Sequence, residues 1–185
     1  MDLSHRILNV LRIKNNETIS IFNHKGQEFL SKVSIEGKQV ILNLSDEIRS
    51  EIKKPKIIRL CVSIINMKLM DLIIQKSVEL GVSDFIPIYT QRSQYKNVDK
   101  KLDHWKKTVI HATEQCGRLD IMNLSNPISL SDFDGIYERS SKYLLHQSGE
   151  KFKYEDLKSN DVTLLVGPEG CLLYTSDAAD DYRSV

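Results

Sequence analysis

The 185-residue sequence predicts an α+β protein, in which a small antiparallel β-rich part precedes an α/β part with a mainly parallel sheet. Up to about Ile52, short segments rich in Ile, Val and Phe are separated by polar, glycine-containing turns. After Pro55, apolar runs alternate with segments of helical period. The charged stretch "EIKKPK" separates the two patterns, and its proline disfavours helix at the preceding residue. The change of pattern predicts a domain boundary there.

Three strands are predicted in the β-rich part. Their sequences are "ETISIFN", "EFLSKVSI" and "KQVILNLS", and the polar turns "HKGQ" and "EGK" connect them. Short strands at such close spacing are typical of a small antiparallel barrel or sheet.

The α/β part opens with "KIIRLCVSII", an apolar run typical of a strand that is buried on both faces. Asn66 is suited to cap a helix from Met67 to Leu80, and Gly81 follows as the residue that ends it. The helical period predicts one apolar face on this helix, centred on Met70, Ile73, Ile74 and Ser77 and broadened by Leu69, Leu72 and Leu80.

The strand–helix alternation then continues to the end of the recognisable pattern. The stretch "DFIPIY" is the next predicted strand, and a helix from about Leu102 to Gln115 follows it. Gly117 ends that helix, whose apolar side is predicted to contain Leu102, Trp105, Val109 and Ala112. A weak helix near Asp132–Glu138 and the strands "KYLLH" and "VTLLVG" complete the predicted unit.

The composition argues against several classes of protein. No run approaches the roughly 18 apolar residues of a membrane-spanning helix, and the polar N-terminus lacks the apolar region of a signal peptide. Three cysteines, Cys61, Cys116 and Cys171, lie far apart, which argues against a disulfide framework and favours a reduced, cytoplasmic protein. His111 has no second histidine at metal-ligand spacing, so no metal is assigned.

The charge distribution has two interpretations. The net charge is +1, but residues 49–110 contain thirteen Lys or Arg against six Asp or Glu. A basic segment of this kind attracts a polyanion such as RNA. On charge alone, lysines on solvated helix faces are the more common explanation of such an excess.

Two loops are candidates for a small-molecule site, because ligands of parallel sheets bind where loops leave the carboxyl ends of the strands. One loop follows "KYLL" and begins at His146. The other follows "TLLV" and consists of Gly167, Pro168, Glu169 and Gly170. Glycine lets backbone amides approach a ligand closely, and proline reduces the entropy lost on ordering. The alternative is an ordinary turn, because neither loop has the spacing of a Walker or dinucleotide motif.

A third polar cluster, in "HATEQCGRLD", comprises Glu114, Gln115 and Arg118 at the end of a predicted helix. Glutamine can hydrogen-bond a base edge, arginine can bind phosphate through two donors, and glutamate can accept a proton. The alternative is a helix terminus in which Gly117 is the left-handed cap and Arg118 complements the helix dipole.

The ordered motifs "IIQKSVELGVSDFIPIYTQRS", "HWKKTVIHATEQCGR" and "LLVGPEG" resemble the bacterial 16S ribosomal RNA uridine-N3 methyltransferases of the RsmE family. The N-terminal stretch "HRILNVLR" is similar to the start of the PUA-like barrel of that family. The resemblance extends from about Ser4 to Gly170. It implies residues 1–54 as an RNA-binding PUA-like barrel and residues 55–170 as an incomplete SPOUT domain with a trefoil knot.

The resemblance also implies a reaction and its partners: methylation of N3 of a specific uridine in 16S rRNA of the small ribosomal subunit, with S-adenosylmethionine as the cofactor, by a homodimer. The residues matched to the cofactor pocket are Leu145, His146, Gly167, Pro168, Glu169 and Gly170. Those matched to the catalytic signature are Glu114, Gln115 and Arg118, beside Gly117, and those matched to RNA-binding positions are Arg12 and Arg92.

The end of the chain departs from the family. After the Gly-Pro-Glu-Gly turn, the family continues with further strands and helices that complete the knot, whereas here "CLLYTSDAADDYRSV" follows. We therefore expect residues 171–185 to be a non-native tail and the N-terminus to be clipped. We also expect the truncated chain to be inactive and not to bind S-adenosylmethionine measurably.

Two functions of other classes are weighed against this one. An RNA-binding module without catalysis would bind RNA in a salt-sensitive manner but not S-adenosylmethionine. A different nucleotide-using α/β enzyme would bind a nucleotide and have no reason to carry Glu-Gln-Cys-Gly-Arg.

Overall fold

The computed structural model describes residues 3–23, 26–50, 56–90, 93, 95, 97–133, 137–145, 149, 159–167 and 183–184. Contacts between Cα atoms divide the chain into two units. The first unit comprises Met1–Lys53 together with Arg118–Asp120, and the second comprises Lys54–Gly117 and Ile121–Val185. Within the described part of the chain, none of the helices has the length and apolar character to cross a membrane.

The first unit contains a three-stranded antiparallel sheet in the order β1-β2-β3. Its strands are β1, Thr18–Phe22; β2, Gln27–Glu36; and β3, Gln39–Ser50. All three correspond to predicted strands, and Gly37 at φ 64° supplies the left-handed backbone of the β2–β3 turn. The described strands establish an antiparallel sheet, while its closure into a barrel stays a prediction.

A short helical segment precedes this sheet and was not predicted. It consists of α1, Leu3–His5, and a π-helical turn, Arg6–Val10. Ile7 from the turn and Val33 from β2 are buried apolar residues of this unit.

The second unit is built on a parallel sheet in the order β10-β8-β9-β4-β5-β6, with β7 also pairing with β5. Every pair of strands in this sheet is parallel. The strands are β4, Ile57–Ser63; β5, Asp84–Tyr89; β6, Asn123–Leu124; β7, Ile128–Ser129; β8, Ser141–Leu145; β9, Asp161–Val166; and β10, Arg183–Ser184. The four longer strands were predicted, and the three two-residue strands are too short to show a pattern.

Helix α2, Met67–Glu79, begins where the sequence predicts it. The side chain of Asn66 accepts a hydrogen bond from the backbone N–H of Lys68 at 3.0 Å, which satisfies one of the unpaired donors of the first turn. The predicted width of its apolar face is wrong. Leu69 and Leu72 are about half exposed and Leu80 is 81% exposed, because the buried stripe is confined to the side facing the core.

Helix α3, Asp99–Cys116, is longer than predicted and ends at the expected glycine. Gly117 has φ 71° and ψ 22°, and its N–H donates to the carbonyl of Thr113. Of the predicted apolar side, Trp105, Val109 and Ala112 are buried. The indole N–H of Trp105 donates to Asp71 Oδ1 at 2.9 Å, which ties α3 to α2.

Two apolar clusters cover the two faces of the parallel sheet. The larger joins α2 and α3 to one face through Met70, Ile74 and Trp105, among others. The smaller lies on the other face and comprises Cys61, Ile86, Ile88, Phe133, Leu144 and Leu165. Phe133 ends the short helix α4, Leu130–Phe133, where the sequence predicted a helix at 132–138, and residues 134–136 lie outside the described residues.

Arg183–Ser184 pairs in parallel with Tyr143 and Leu144 of β8. Two residues of the segment expected to be a tail therefore extend the sheet. The expectation that residues 171–185 are non-native stays a prediction.

Candidate functional site

The order of the strands indicates which edge of this sheet is the candidate site for a ligand. The second unit starts with the central strand β4. The chain continues outward on one side of β4 to β5 and β6, and it later adds β8 and β9 on the other side. The direction of winding therefore reverses between β4 and β9. In open α/β sheets, the crevice at the carboxyl ends of the strands flanking such a reversal is the usual ligand site.

Two candidate cofactor residues lie at this edge. Leu145 ends β8 and is in register with Val166, which ends β9, so that the two following loops leave the sheet side by side. Gly167 directly follows β9 and is half-buried, and Leu145 is 39% exposed. The structure therefore brings together the starts of the two predicted loops. His146, Pro168, Glu169 and Gly170 lie outside the described residues.

Ser63, at the carboxyl end of β4, was not singled out from the sequence. The residue is 1% exposed, and its Oγ atom has no hydrogen-bond partner among the residues that the structure describes. Because Val62 pairs with Val166, Ser63 lies one residue further along, opposite Gly167. A buried hydroxyl without a partner is unusual in a native protein and costs free energy. The only signal in the sequence was a serine at the end of an apolar strand.

Two members of the predicted catalytic cluster, Glu114 and Gln115, lie near the opposite edge of the sheet. Helix α3 begins beside the carboxyl end of β5, where the backbone N–H of Val98 donates to the Tyr89 hydroxyl at 3.1 Å. After α3, the chain enters β6, whose Asn123 pairs with Asp84 at the amino end of β5. Helix α3 therefore runs antiparallel to the strands. Glu114 and Gln115, in its last turn, are exposed near the amino edge, away from Leu145 and Gly167.

Arg118 is the buried member of the cluster. Its side chain is 8% exposed, and Asp120 accepts from it through both oxygens, from Nε at 3.1 Å and from Nη2 at 2.8 Å. This paired geometry fixes the plane of the guanidinium group and balances its charge. Asp120 was missed from the sequence, although an acid two residues after an arginine was the available signal.

The two predicted RNA-binding arginines have different outcomes. Arg12 is exposed and has φ 53°, a left-handed conformation that is uncommon for a residue with a Cβ atom. It follows the π-helical turn, where Leu11 N–H donates to the carbonyl of Arg6 at 2.9 Å. Arg92 lies outside the described residues.

A cavity of about 480 Å³ lies between the starts of α2 and α3. Met67 and Tyr95 contribute apolar and aromatic surface, Lys100 and Lys101 contribute positive charge, and Asp99 contributes negative charge. The excess of basic residues in this segment was noted from the sequence, but the cavity was not predicted, because it depends on how two helices approach each other.

Cys61 lies two residues before Ser63, on the same face of β4. Burial raises the pKa of its thiol to about 12, and the positive charges of Arg59 and Lys142 offset only part of that effect. The Cys61 side chain is therefore a neutral part of the apolar face and not a nucleophile. Among the described residues, no three His, Cys, Asp or Glu side chains cluster in a way that could hold a metal ion.

Comparisons with known proteins by family model, by sequence and by structure agree with one another. The model of a family described as an RNA methyltransferase domain matches residues 52–175. The ribosomal RNA small subunit methyltransferase E of Rickettsia conorii is 32% identical over 177 residues, which cover 90% of this chain and 69% of that protein.

Two solved structures share the fold. A methyltransferase of Legionella pneumophila, solved with its bound cofactor SAM, superimposes with a TM-score of 0.81 at 30% identity and covers 96% of this chain and 75% of its own. The ribosomal RNA small subunit methyltransferase E of Neisseria gonorrhoeae, bound to S-adenosyl methionine, gives 0.76 at 28% identity, with coverages of 97% and 78%. The chain therefore belongs to the ribosomal RNA small subunit methyltransferase E (RsmE) family, whose RNA methyltransferase domain it carries.

Proposed function

We propose that the protein transfers a methyl group from S-adenosylmethionine to N3 of a uridine in the 16S rRNA of the small ribosomal subunit, in the cytoplasm. The match of an RNA methyltransferase domain to residues 52–175 is the observation that carries the proposal. We further propose that the first unit is a PUA-like barrel that binds RNA, and that the second unit is the SPOUT domain of the family.

The carboxyl edge of the sheet fits the cofactor. Two adjacent loops leave the sheet there, one after Leu145 and one at Gly167, and Ser63, whose hydroxyl has no partner among the described residues, lies opposite Gly167. A backbone without a side chain at Gly167 allows close approach of a ligand. We assign Leu145, His146, Gly167, Pro168, Glu169 and Gly170 to cofactor binding.

When it is bound, S-adenosylmethionine supplies a methyl group on a positively charged sulfur. The protein must hold the uracil ring with N3 in line with that group, and the N3 proton must leave as the new N–C bond forms. Gln115 can hydrogen-bond the edge of a uracil ring, and Glu114 carries a carboxylate that can accept a proton. Arg118 can hold the developing negative charge of the ring or a flanking phosphate.

The separation of these residues supports a homodimer. Glu114 and Gln115 lie near the amino edge of the sheet, whereas Leu145 and Gly167 lie at the carboxyl edge. One chain therefore does not bring the two groups together, and we propose that a second copy does. The basic residues Lys100 and Lys101, beside the cavity at the start of α3, support approach of RNA to the carboxyl edge.

Binding and transfer test the proposal directly. S-adenosylmethionine is titrated calorimetrically into the 185-residue chain and into a version extended with the C-terminal part of the Rickettsia conorii relative, of which the chain covers 69%. Both proteins are then incubated with small ribosomal subunits and tritiated S-adenosylmethionine. Because N3 methylation blocks Watson–Crick pairing, reverse transcription should stop at the modified uridine.

The proposal requires saturable binding and one methylated uridine with the extended protein. Salt-sensitive RNA binding without cofactor binding in both proteins would instead support an RNA-binding module without catalysis. The expectation that the 185-residue chain alone does not bind the cofactor stays a prediction, which the same titration checks.

A further inference from the structure

We infer that the Ser63 hydroxyl is a hydrogen-bond partner of the bound cofactor, which makes β4 a third contributor to the cofactor site beside the loops that follow β8 and β9. The inference rests on the proposed function. It extends that function to a residue outside the motifs from which the cofactor pocket is assigned.

The first argument is the state of the hydroxyl. Ser63 is 1% exposed, and within the described part of the chain Oγ has no hydrogen-bond partner. A serine hydroxyl has one donor and two acceptor positions, and water satisfies them when the residue is exposed. Folding removes that water here and the described residues supply no replacement, so the burial of the hydroxyl costs free energy. A ligand that hydrogen-bonds to it would remove this penalty.

The second argument is its position. Ser63 ends β4 at the reversal of winding between β4 and β9, where the loops of an open α/β sheet leave room for a ligand. On one side it pairs with Ile88, and on the other it lies opposite Gly167. Because Gly167 has no side chain, this residue contributes only backbone on that side of Ser63.

The third argument is the chemistry of the surrounding face. Residues on this face of the sheet, including Cys61, Ile88 and Leu165, form an apolar cluster, and Ser63 follows Cys61 on the same face of β4, in register with Ile88. A hydrogen bond in such surroundings is stronger than one exposed to water. S-adenosylmethionine is a suitable partner because it is small and has donors and acceptors on both its nucleoside and its amino-acid part.

Ser31 provides a matched control. It is a second serine with 0% exposure and an unpartnered hydroxyl, but it lies in β2 of the first unit, in register with Leu44. If an orphan hydroxyl is merely tolerated, Ser31→Ala and Ser63→Ala should behave alike. If Ser63 binds the cofactor, the two substitutions should differ in cofactor affinity alone.

The experiment measures thermal unfolding and cofactor affinity for the wild type, Ser63→Ala, Ser63→Cys and Ser31→Ala in the extended protein. Without cofactor, Ser63→Ala should unfold at the same or a higher temperature than the wild type, because an unsatisfied polar group is removed. Its dissociation constant for S-adenosylmethionine should rise about 5- to 20-fold, the loss expected for one hydrogen bond. Ser63→Cys keeps the shape with a weak donor and should also bind more weakly, and Ser31→Ala should bind like the wild type.

Methylthioadenosine, which lacks the amino-acid part, identifies the atom group involved. A weaker binding of both ligands by Ser63→Ala places the hydroxyl on the nucleoside, and a weaker binding of S-adenosylmethionine alone places it on the amino-acid part. Either result supports the inference. Wild-type affinity in Ser63→Ala and Ser63→Cys would overturn it while leaving the proposed function intact. A wild type that binds neither ligand would overturn the proposed function and this inference together.

Discussion

At the scale of single residues, the structure adds to the sequence motif by showing what the Arg118 side chain contacts. The sequence left it as either a substrate-binding arginine or the charged end of a helix. Its guanidinium is buried and held through two hydrogen bonds by Asp120, so the protein itself fixes its orientation. Fixed donors of this kind stabilise developing charge without having to reorganise.

We expect Arg118→Ala to lower methyl transfer by the extended protein about 100-fold, the loss typical of one preorganised donor. Stability should fall by only about 1–2 kcal/mol, because the Asp120 side chain is 41% exposed and can be solvated. Initial rates with small ribosomal subunits and urea unfolding measure the two effects. Arg118→Lys keeps the charge without the planar fork and should remain impaired. If Arg118→Ala instead lowered stability strongly while turnover per folded molecule stayed normal, Arg118 would be the charged end of a helix and not a substrate-binding residue.

The two described cysteines should differ sharply in reactivity. Cys61 is buried with a pKa of about 12, whereas Cys116 is exposed. In a Cys171→Ser variant at pH 8, we expect Ellman's reagent to modify one thiol in the native protein and two in denaturant, because the thiolate is the reactive form. Rapid modification of both thiols in the native state would contradict the burial of Cys61.

The raised pKa of Cys61 also has a consequence for stability. The ordinary thiol value is 9.0, so the unfolded state loses this proton above that pH while the folded state retains it up to about 12. The contribution of Cys61 is therefore fully present below pH 9 and is lost as the pH rises towards 12, at about 1.4 kcal/mol per pH unit. Urea unfolding of the wild type and Cys61→Ala between pH 8 and 11 should show this extra slope in the wild type alone.

At the scale of elements, local chemistry made the ends of helices predictable. Asn66 caps α2 and Gly117 ends α3, as their residue types indicate. The face of α2 was less predictable, because a leucine is counted as apolar whether or not a neighbouring element covers it. Leu69 and Leu72 remain about half exposed for that reason.

Gly117→Ala tests the left-handed cap of α3. A Cβ atom at Gly117 would have no atom within 4 Å, so the substitution causes no clash and its cost is conformational. We expect a loss of about 1–2 kcal/mol in unfolding free energy, because φ is 71°. Gly37→Ala is the matched control, since Gly37 has φ 64° and equally open surroundings. A neutral Gly117→Ala would mean that α3 can end in another conformation.

At the scale of the whole molecule, the fold class was predictable and the register of the strands was not. The change from short strands to strand–helix alternation identified an antiparallel sheet and a parallel one. It could not show that β9 lies beside β4, because that pairing joins residues about a hundred positions apart, as Ile57 and Asp161 illustrate. Ser63 was missed for the same reason, since its significance depends on lying opposite Gly167.

The order of the strands in the parallel sheet predicts which parts of the second unit are the last to unfold locally. Strand β4 pairs along its length with β9 and pairs with five residues of β5, and β9 pairs with both β4 and β8. In contrast, β6 and β7 each contribute two residues to the edge beside β5. Amides in strands with long partners on both sides exchange only through large-scale opening.

Hydrogen exchange followed by mass spectrometry should therefore find the slowest amides in β4 and β9, with Cys61, Val62 and Leu165 among them. Peptides covering β6 and β7 should exchange much faster, because opening a two-residue pairing exposes little apolar surface. Ile86→Ala, in the apolar face next to β4, provides a control: it should accelerate exchange in β4 by lowering the stability of the unit by about 2–5 kcal/mol. Equal protection of β6 and β4 would contradict the central place of β4 and, with it, the position of the ligand site at the reversal beside β9.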